Sequence, residues 1–382
     1  MLKKYFNENN KLPIDPERIV VKVGSAVLSD REGRLDKNYI GTLSESLSRL
    51  MDRGKKVLLV SSGAVSTGVG AMEWERRPKT IPEKQAMAAI GQCLLMNYYN
   101  EEFKKFGKKV SQILLTRDDM DDRKRYLNTR YTLEELLKWG VLPIINENDT
   151  TTIDELRFGD NDLLSAIVAT KMSAEVLIFL TDVDGLFDSN PKLNPEAKLL
   201  HIVDKIAPEV LTLAGSQVSR IGSGGMISKL NALSFVTIAG VYGVLVQGRR
   251  PNILEEILSS NFHGTLFLPR LDRKLTSRKR WIAFGKVGSG KEIVIDRGAE
   301  NALKVLQKSL LPVGIIEVRG NFSRGDVVNV LSMDGMRFAR GLTNYNSDEI
   351  GKIAGQKTFE IEKILGEKEY DEVIHKDNLV LL

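Results

Sequence analysis

Apolar runs of strand length recur through the first two thirds of the chain, at 18–24, 56–60, 110–115, 141–145, 175–180 and 244–246, each ending in small or polar residues. Helical spacing fills much of the sequence between them, as at Ile40, Leu43, Leu47 and Leu50. Continuously apolar strands are those buried on both faces. Their alternation with helices predicts an α/β fold, a mainly parallel open sheet sandwiched by helices. Ligands of such sheets gather beyond the C-terminal ends of the strands, so the polar residues that end each run are the candidates for a site.

Two polar clusters flank one loop. The run VLPII at 141–145 gives way to NEND at 146–149, and GDND at 159–162 precedes the apolar helical run 163–169. Carboxylates only accept hydrogen bonds and amides also donate, so together they suit a site that grips an ammonium group or positions cations. For any single Asp the alternative is a helix cap.

Lys22 interrupts an otherwise apolar strand, which is costly unless its ammonium emerges at something negative; the alternative is a lysine snorkelling from an edge strand. The turn at Gly24, Ser25 and Ala26 would let backbone amides approach a phosphate. Ser61, Ser62 and Gly63 open a helix directly after the strand at 56–60, where an anion or an ordinary cap would be served equally. Gly222, Gly224 and Gly225 precede a helix predicted from about Met226 to Ala239, and Lys229 lies about one turn into it, within reach of the same phosphates.

Composition removes several alternatives. Three histidines and the single Cys93 leave no framework for a disulfide scaffold, a cysteine-cluster zinc site or a histidine-centred mechanism. Cys93 is read as a buried, inert thiol within the helical run 85–99. A net charge of +5 over 382 residues is too mild to imply a nucleic-acid partner. No run approaches a membrane span and the segment 1–13 is too polar for a signal peptide, so a cytoplasmic protein is expected.

After 266 the texture changes. A basic stretch through Arg270, Arg273, Lys274, Arg278 and Lys279 reads as a linker, and short strands are predicted at 281–284, 292–295, 314–318, 327–330 and 337–340. The string GKVGSGK at 285–291 imitates a phosphate-binding loop, but Glu292 stands where Ser or Thr is needed and a strand follows, so a hairpin turn is expected. The expected division is a first domain at 15–265, a linker at 266–276 and a small mainly-β domain at 277–370.

The motifs VKVGS at 21–25, VSSGA at 60–64, LLTR at 114–117, INEND at 145–149, GDND at 159–162, LTD at 180–182 and GSGGM at 222–226 with Lys229 resemble the amino-acid kinase superfamily. In this order they resemble its glutamate 5-kinase family, and NAL at 301–303, LPVG at 311–314, GNFSRGD at 320–326 and YNS at 345–347 resemble the PUA domain attached to it. The resemblance implies transfer of the γ-phosphoryl group of ATP, with Mg2+, to the side-chain carboxylate of L-glutamate for proline synthesis. It implies Lys22 and Lys229 beside the transferred group, with Asp162 holding both lysines. Ser62, Asn146, Asp149 and Asn161 would grip glutamate. Gly24, Ser25, Thr181 and Asp182 would lie by the nucleotide, with Ser223, Gly224, Gly225, Met226, Ile227, Ser228 and Lys229 on its phosphates, and no residue is assigned to the metal. Asp160 has no assigned role. Ala26 stands where many members carry a hydroxyl, and Ser223 where threonine is common. Feedback by proline and a homo-oligomer are further implications of the resemblance. The competing readings are another kinase of this fold, acting on acetylglutamate, aspartate or a nucleoside monophosphate, and RNA binding through the PUA-like domain. The nearly balanced charge of that domain argues against the last.

Overall fold

The computed structural model describes residues 10–30, 32–151, 161–191, 193–206, 210–211, 213, 225–270, 279, 282–283 and 290–381. The chain divides into two compact units, Met1–Lys274 and Leu275–Leu382.

The first unit is built on an eight-stranded sheet. Its strands are β1 Arg18–Val23, β2 Lys56–Ser61, β3 Lys109–Leu115, β4 Val141–Glu147, β5 Val176–Thr181, β6 Ile202–Val203, β7 Tyr242–Gln247 and β8 Thr265–Phe267, in the order β3-β4-β2-β1-β5-β7-β8-β6. Every neighbouring pair is parallel except β7 with β8. The α/β reading of the sequence is therefore borne out, and the C-terminal ends of β1, β2, β4, β5 and β7 share one edge.

Helices cover both faces. They are α1 Ser25–Leu28, α2 Lys37–Asp52, α3 Ala64–Ala71, α4 Ile81–Lys105, α5 Arg117–Asp121, α6 Arg123–Lys138, α7 Asn161–Lys171, α8 Met226–Ile238 and α9 Ile253–Ser259. Asp36 caps α2 through its side chain, and Thr80 with Glu83 forms a capping box on α4, so both starts are written locally. Ile40, Leu43, Leu47 and Leu50 of α2 pack with Leu95, Tyr99 and Phe103 of α4 against Ile19, Val21 and Val23 of β1. The two-residue alternation of a strand then sends Val20 and Lys22 to the opposite face, where α7 packs on β1 and α8 on α7.

In the second unit a five-stranded sheet runs in the order β10-β9-β11-β12-β13. The strands are β9 Glu292–Ile295, β10 Ile315–Arg319, β11 Val327–Leu331, β12 Arg337–Leu342 and β13 Leu379–Leu381. Its core gathers Ile293, Val328, Val330, Phe338, Ile350, Ile353 and Val373, among others, separate from the core of the first unit. Among the described residues no helix is long and apolar enough to cross a membrane.

Several expectations change. β1 lies in the middle of the sheet, so Lys22 is no edge-strand lysine. β4 continues through Asn146 and Glu147, because pairing with β3 carries the ladder past the apolar run. Leu266 and Phe267, read as linker, are strand residues paired with β6 and β7. Ile282 and Ala283, expected in a strand, are helical, and β13 carries the second unit's sheet beyond residue 370. Cys93 is exposed: Gly91, Gln92, Leu95 and Tyr99 define the buried face of α4, and 93 falls off it. The expected hairpin turn lies outside the described residues except for Gly290 and Lys291, and so does most of the linker.

Candidate active site

Lys22 is one residue from the end of the central strand and only 5% exposed. A buried ammonium requires a partner, and α7 supplies it from its first turn. Asp162 is fully buried, with Oδ1 2.5 Å from Lys22 Nζ and Oδ2 3.3 Å from Lys229 Nζ on α8. The Ser228 hydroxyl also donates to Oδ2, at 2.6 Å. Burial opposes ionisation of Asp162, but the two ammonium groups and the hydrogen bonds outweigh it and hold the carboxyl at about 2. The three charges sum to one positive charge at the C-terminal edge of the sheet.

Beside this trio stands a chain of amides. The backbone N–H of Glu147 donates to Asn146 Oδ1 at 2.9 Å and to Asn161 Oδ1 at 3.3 Å. Because a backbone N–H can only donate, it fixes which end of each amide is the oxygen. Asn161 Nδ2 then donates to Asn146 Oδ1 at 2.9 Å and to Ser62 Oγ at 3.0 Å, and Asn146 Nδ2 donates to Gln92 Oε1 at 2.8 Å. Ser62 accepts in this chain, which leaves its own hydroxyl hydrogen to donate elsewhere.

Asp149 is different. It is partly buried, and no hydrogen bond or ion pair engages its carboxyl among the described residues; burial alone pushes it up to about 6. A carboxylate under that penalty is suited to meeting a cation brought by a ligand.

Two helix starts complete the edge. α3 begins at Gly63, whose φ of +105° is left-handed, a conformation open to glycine at little cost, and no side chain caps it. α8 begins at Gly225, also without a side-chain cap. Uncapped first-turn N–H groups form a ready anion site, and on α8 they lie beside Lys229. Gly24 N donates to Leu180 O at 3.3 Å, so the turn after β1 with Ser25 abuts the end of β5. There Thr181 is buried and accepts from Val183 N, while Asp182 is exposed. Met226 is buried and Ile227 is 49% exposed. Asp160, Ser223 and Gly224 lie outside the described residues.

Lys22, Asp162, Ser228 and Lys229 thus form one cluster, and Ser62, Asn146 and Asn161 another. Gln92 was not among the sequence candidates. A polar residue on the buried side of α4 was the only signal for it, and no motif surrounds it.

A mainly parallel sheet with a buried and a half-buried lysine bridged by a carboxylate at its C-terminal edge, next to uncapped helix starts, defines an enzyme of the phosphoryl-transfer class. Residues 17–247 match the sequence profile of the amino acid kinase family and residues 291–365 that of the PUA domain. Glutamate 5-kinase of Thermoanaerobacter sp. (strain X514) is 47% identical over 365 residues, which is 96% of this chain and 98% of that protein. The enzyme of the same name from Geobacter sulfurreducens is 48% identical over 366 residues, again 96% and 98%. That from Caldanaerobacter subterraneus subsp. tengcongensis is 46% identical, with 96% and 98% covered. With this identity and coverage, the chain belongs to the glutamate 5-kinase branch of the amino acid kinase family.

Proposed function

We propose that the protein transfers the γ-phosphoryl group of ATP to the side-chain carboxylate of L-glutamate, giving L-glutamyl 5-phosphate and ADP at the entry to proline synthesis. The observation that carries this reading is the Lys22–Asp162–Lys229 trio next to an amide chain, with Asp149, whose carboxyl has no partner among the described residues, just beyond the end of β4. The γ-carboxylate is already ionised at neutral pH, so no general base is needed. One of its oxygens bonds to the γ-phosphorus as the bond to the β–γ bridging oxygen breaks and the electron pair leaves with ADP. The obstacle is repulsion between anions, and aimed cations remove it.

Lys22 and Lys229 flank the moving phosphoryl group, and Asp162 fixes both ammonium groups while Ser228 fixes Asp162. The α8 N-terminus, with Gly225, Met226 and Ile227, takes the nucleotide phosphates, and Gly24, Ser25, Thr181 and Asp182 border the nucleotide. Asp149 pairs with the substrate ammonium. Ser62 donates to a substrate carboxylate, since its acceptor side is occupied by Asn161. Among the described residues no three His, Cys, Asp or Glu side chains are grouped to hold a metal, and both oxygens of Asp162 are engaged. A Mg2+ ion would come with the nucleotide phosphates, where it would neutralise charge.

The test is ATP turnover with Mg2+ and L-glutamate, aspartate, acetylglutamate or uridylate as acceptor, trapping acyl phosphate with hydroxylamine. Glutamate-dependent hydroxamate is the expected outcome; turnover only with another acceptor would overturn the substrate assignment. Titrating proline in the same assay and measuring solution mass by light scattering address feedback and homo-oligomerisation, which extend this reading.

A further inference from the structure

The polarity of the glutamate-side amides is set at one end by the Glu147 backbone N–H and closed at the other by Gln92. Asn146 spends its oxygen on Glu147 N and Asn161 Nδ2, so its Nδ2 must find an acceptor in a site where Asn146 is only 2% exposed. Gln92 Oε1 is that acceptor, at 2.8 Å, and Gln92 is itself 9% exposed. Gln92 comes from a helix far away in sequence and is held there by the neighbouring Gly91, against which the backbone of α3 packs without room for a side chain.

We propose that Gln92 is a positioning residue for the amino-acid substrate, acting through Asn146. By accepting from Nδ2 it prevents the Asn146 amide from turning over, and this orientation keeps Asn161 donating to Ser62 and Ser62 donating outward. An Asn146 amide turned by half a rotation would set its NH2 against Glu147 N–H and Asn161 Nδ2, donor against donor, and the chain would lose its direction. The consequence is confined to the amino-acid side, because neither Gln92 nor Asn146 hydrogen-bonds to the Lys22–Asp162–Lys229 trio.

This inference rests on the glutamate reading, and the wild-type chain separates the two. If wild type makes no glutamate-dependent acyl phosphate, that reading fails first. With wild-type activity in hand, Gln92→Met keeps the length of the side chain and removes the acceptor. The expected result is a 10- to 100-fold rise in KM for glutamate, with KM for ATP within twofold of wild type. In an Asn146→Ala background the same substitution adds less than twofold, because the residue through which it acts is gone. Gln92→Asn, polar but one methylene too short, should give the same selective defect and serves if the apolar variant disturbs the helix crossing. An unchanged glutamate KM, a parallel rise in the ATP KM, or a full additional effect in the Asn146→Ala background would each overturn the proposal. Failure of both Gln92 variants to fold would do so too, since it would assign Gln92 to folding alone.

Discussion

Three residues carry the proposed chemistry, in two different ways. In the proposed reaction Lys22 and Lys229 would each bring a positive charge to the place where anionic oxygens must approach one another, and a preorganised charge of this kind is worth about 10²-fold or more in rate. Lys22→Met or Lys229→Met should therefore lower kcat by at least about 10²-fold with far-UV circular dichroism unchanged, and near-normal turnover would remove that lysine from the role given it. Asp149 works through titration. Burial lifts its pKa to about 6, so the carboxylate that would hold the ammonium is present above that pH and is neutralised below it. kcat/KM for glutamate should fall as pH drops through about 6, whereas Asp149→Asn should be uniformly poor and flat across the same range. The linkage has a definite sign: a raised carboxyl pKa means that folding favours the protonated form, so Asp149 weakens stability as pH rises from its unfolded value toward 6. The Asn variant should accordingly melt no lower than wild type at pH 8. Lys22 and Asp149 stood out in the sequence because a charge in an apolar run, or just beyond one, has to meet something polar, whether a ligand or only water and a cap. Gln92 did not, since one amide in a 25-residue helix says nothing about which strand end it will meet.

At the scale of elements, the crossing of α3 and α4 is the joint on which the proposed amino-acid side depends. A Cβ on Gly68 would overlap the carbonyl oxygen of Met87, and one on Gly91 would overlap that of Ala64. The helices therefore touch backbone to backbone, and this contact brings Gln92 and the Ser62–Gly63 turn to the same strand ends. Gly91→Ala must push the helices apart, costing about 1–3 kcal/mol or more. Urea unfolding should show that loss, and KM for glutamate should rise severalfold while KM for ATP moves little, because Lys22, Asp162 and Lys229 lie across the sheet from this crossing. Wild-type stability in Gly91→Ala would show that the contact is looser than the backbone positions require. Sequence reading found the long central strands because both of their faces are buried and every residue reports it. It missed β8, a three-residue strand in antiparallel pairing, and β13, three residues after a charge-dense stretch, because elements this short carry too few side chains to display a period. Cys93 failed for a related reason: a helix as evenly apolar as α4 hides which of its faces is turned inward.

Across the whole molecule, chemistry and mass are unevenly distributed. Every residue assigned to substrate or nucleotide lies within Met1–Lys274, and among the described residues the apolar cluster under α2 and α4 is drawn from strands and helices of that unit. The second unit has its own sheet and its own apolar cluster and contributes no residue to the proposed chemistry. Its presence was legible from the change to short strands beyond 266, although its helices, Arg297–Lys304 among them, were not. A unit with a closed core folds without its neighbour more readily than one whose core is shared. A chain ending at Lys274 should therefore remain folded and keep glutamate-dependent hydroxamate formation within about tenfold of the full chain in kcat/KM, a loss of no more than about 1.4 kcal/mol of transition-state stabilisation. Steady-state kinetics on the two chains, together with circular dichroism of the shorter one, checks this. A folded but inactive short chain would show that turnover requires the second unit, and the account of catalysis would then have to include residues beyond Lys274.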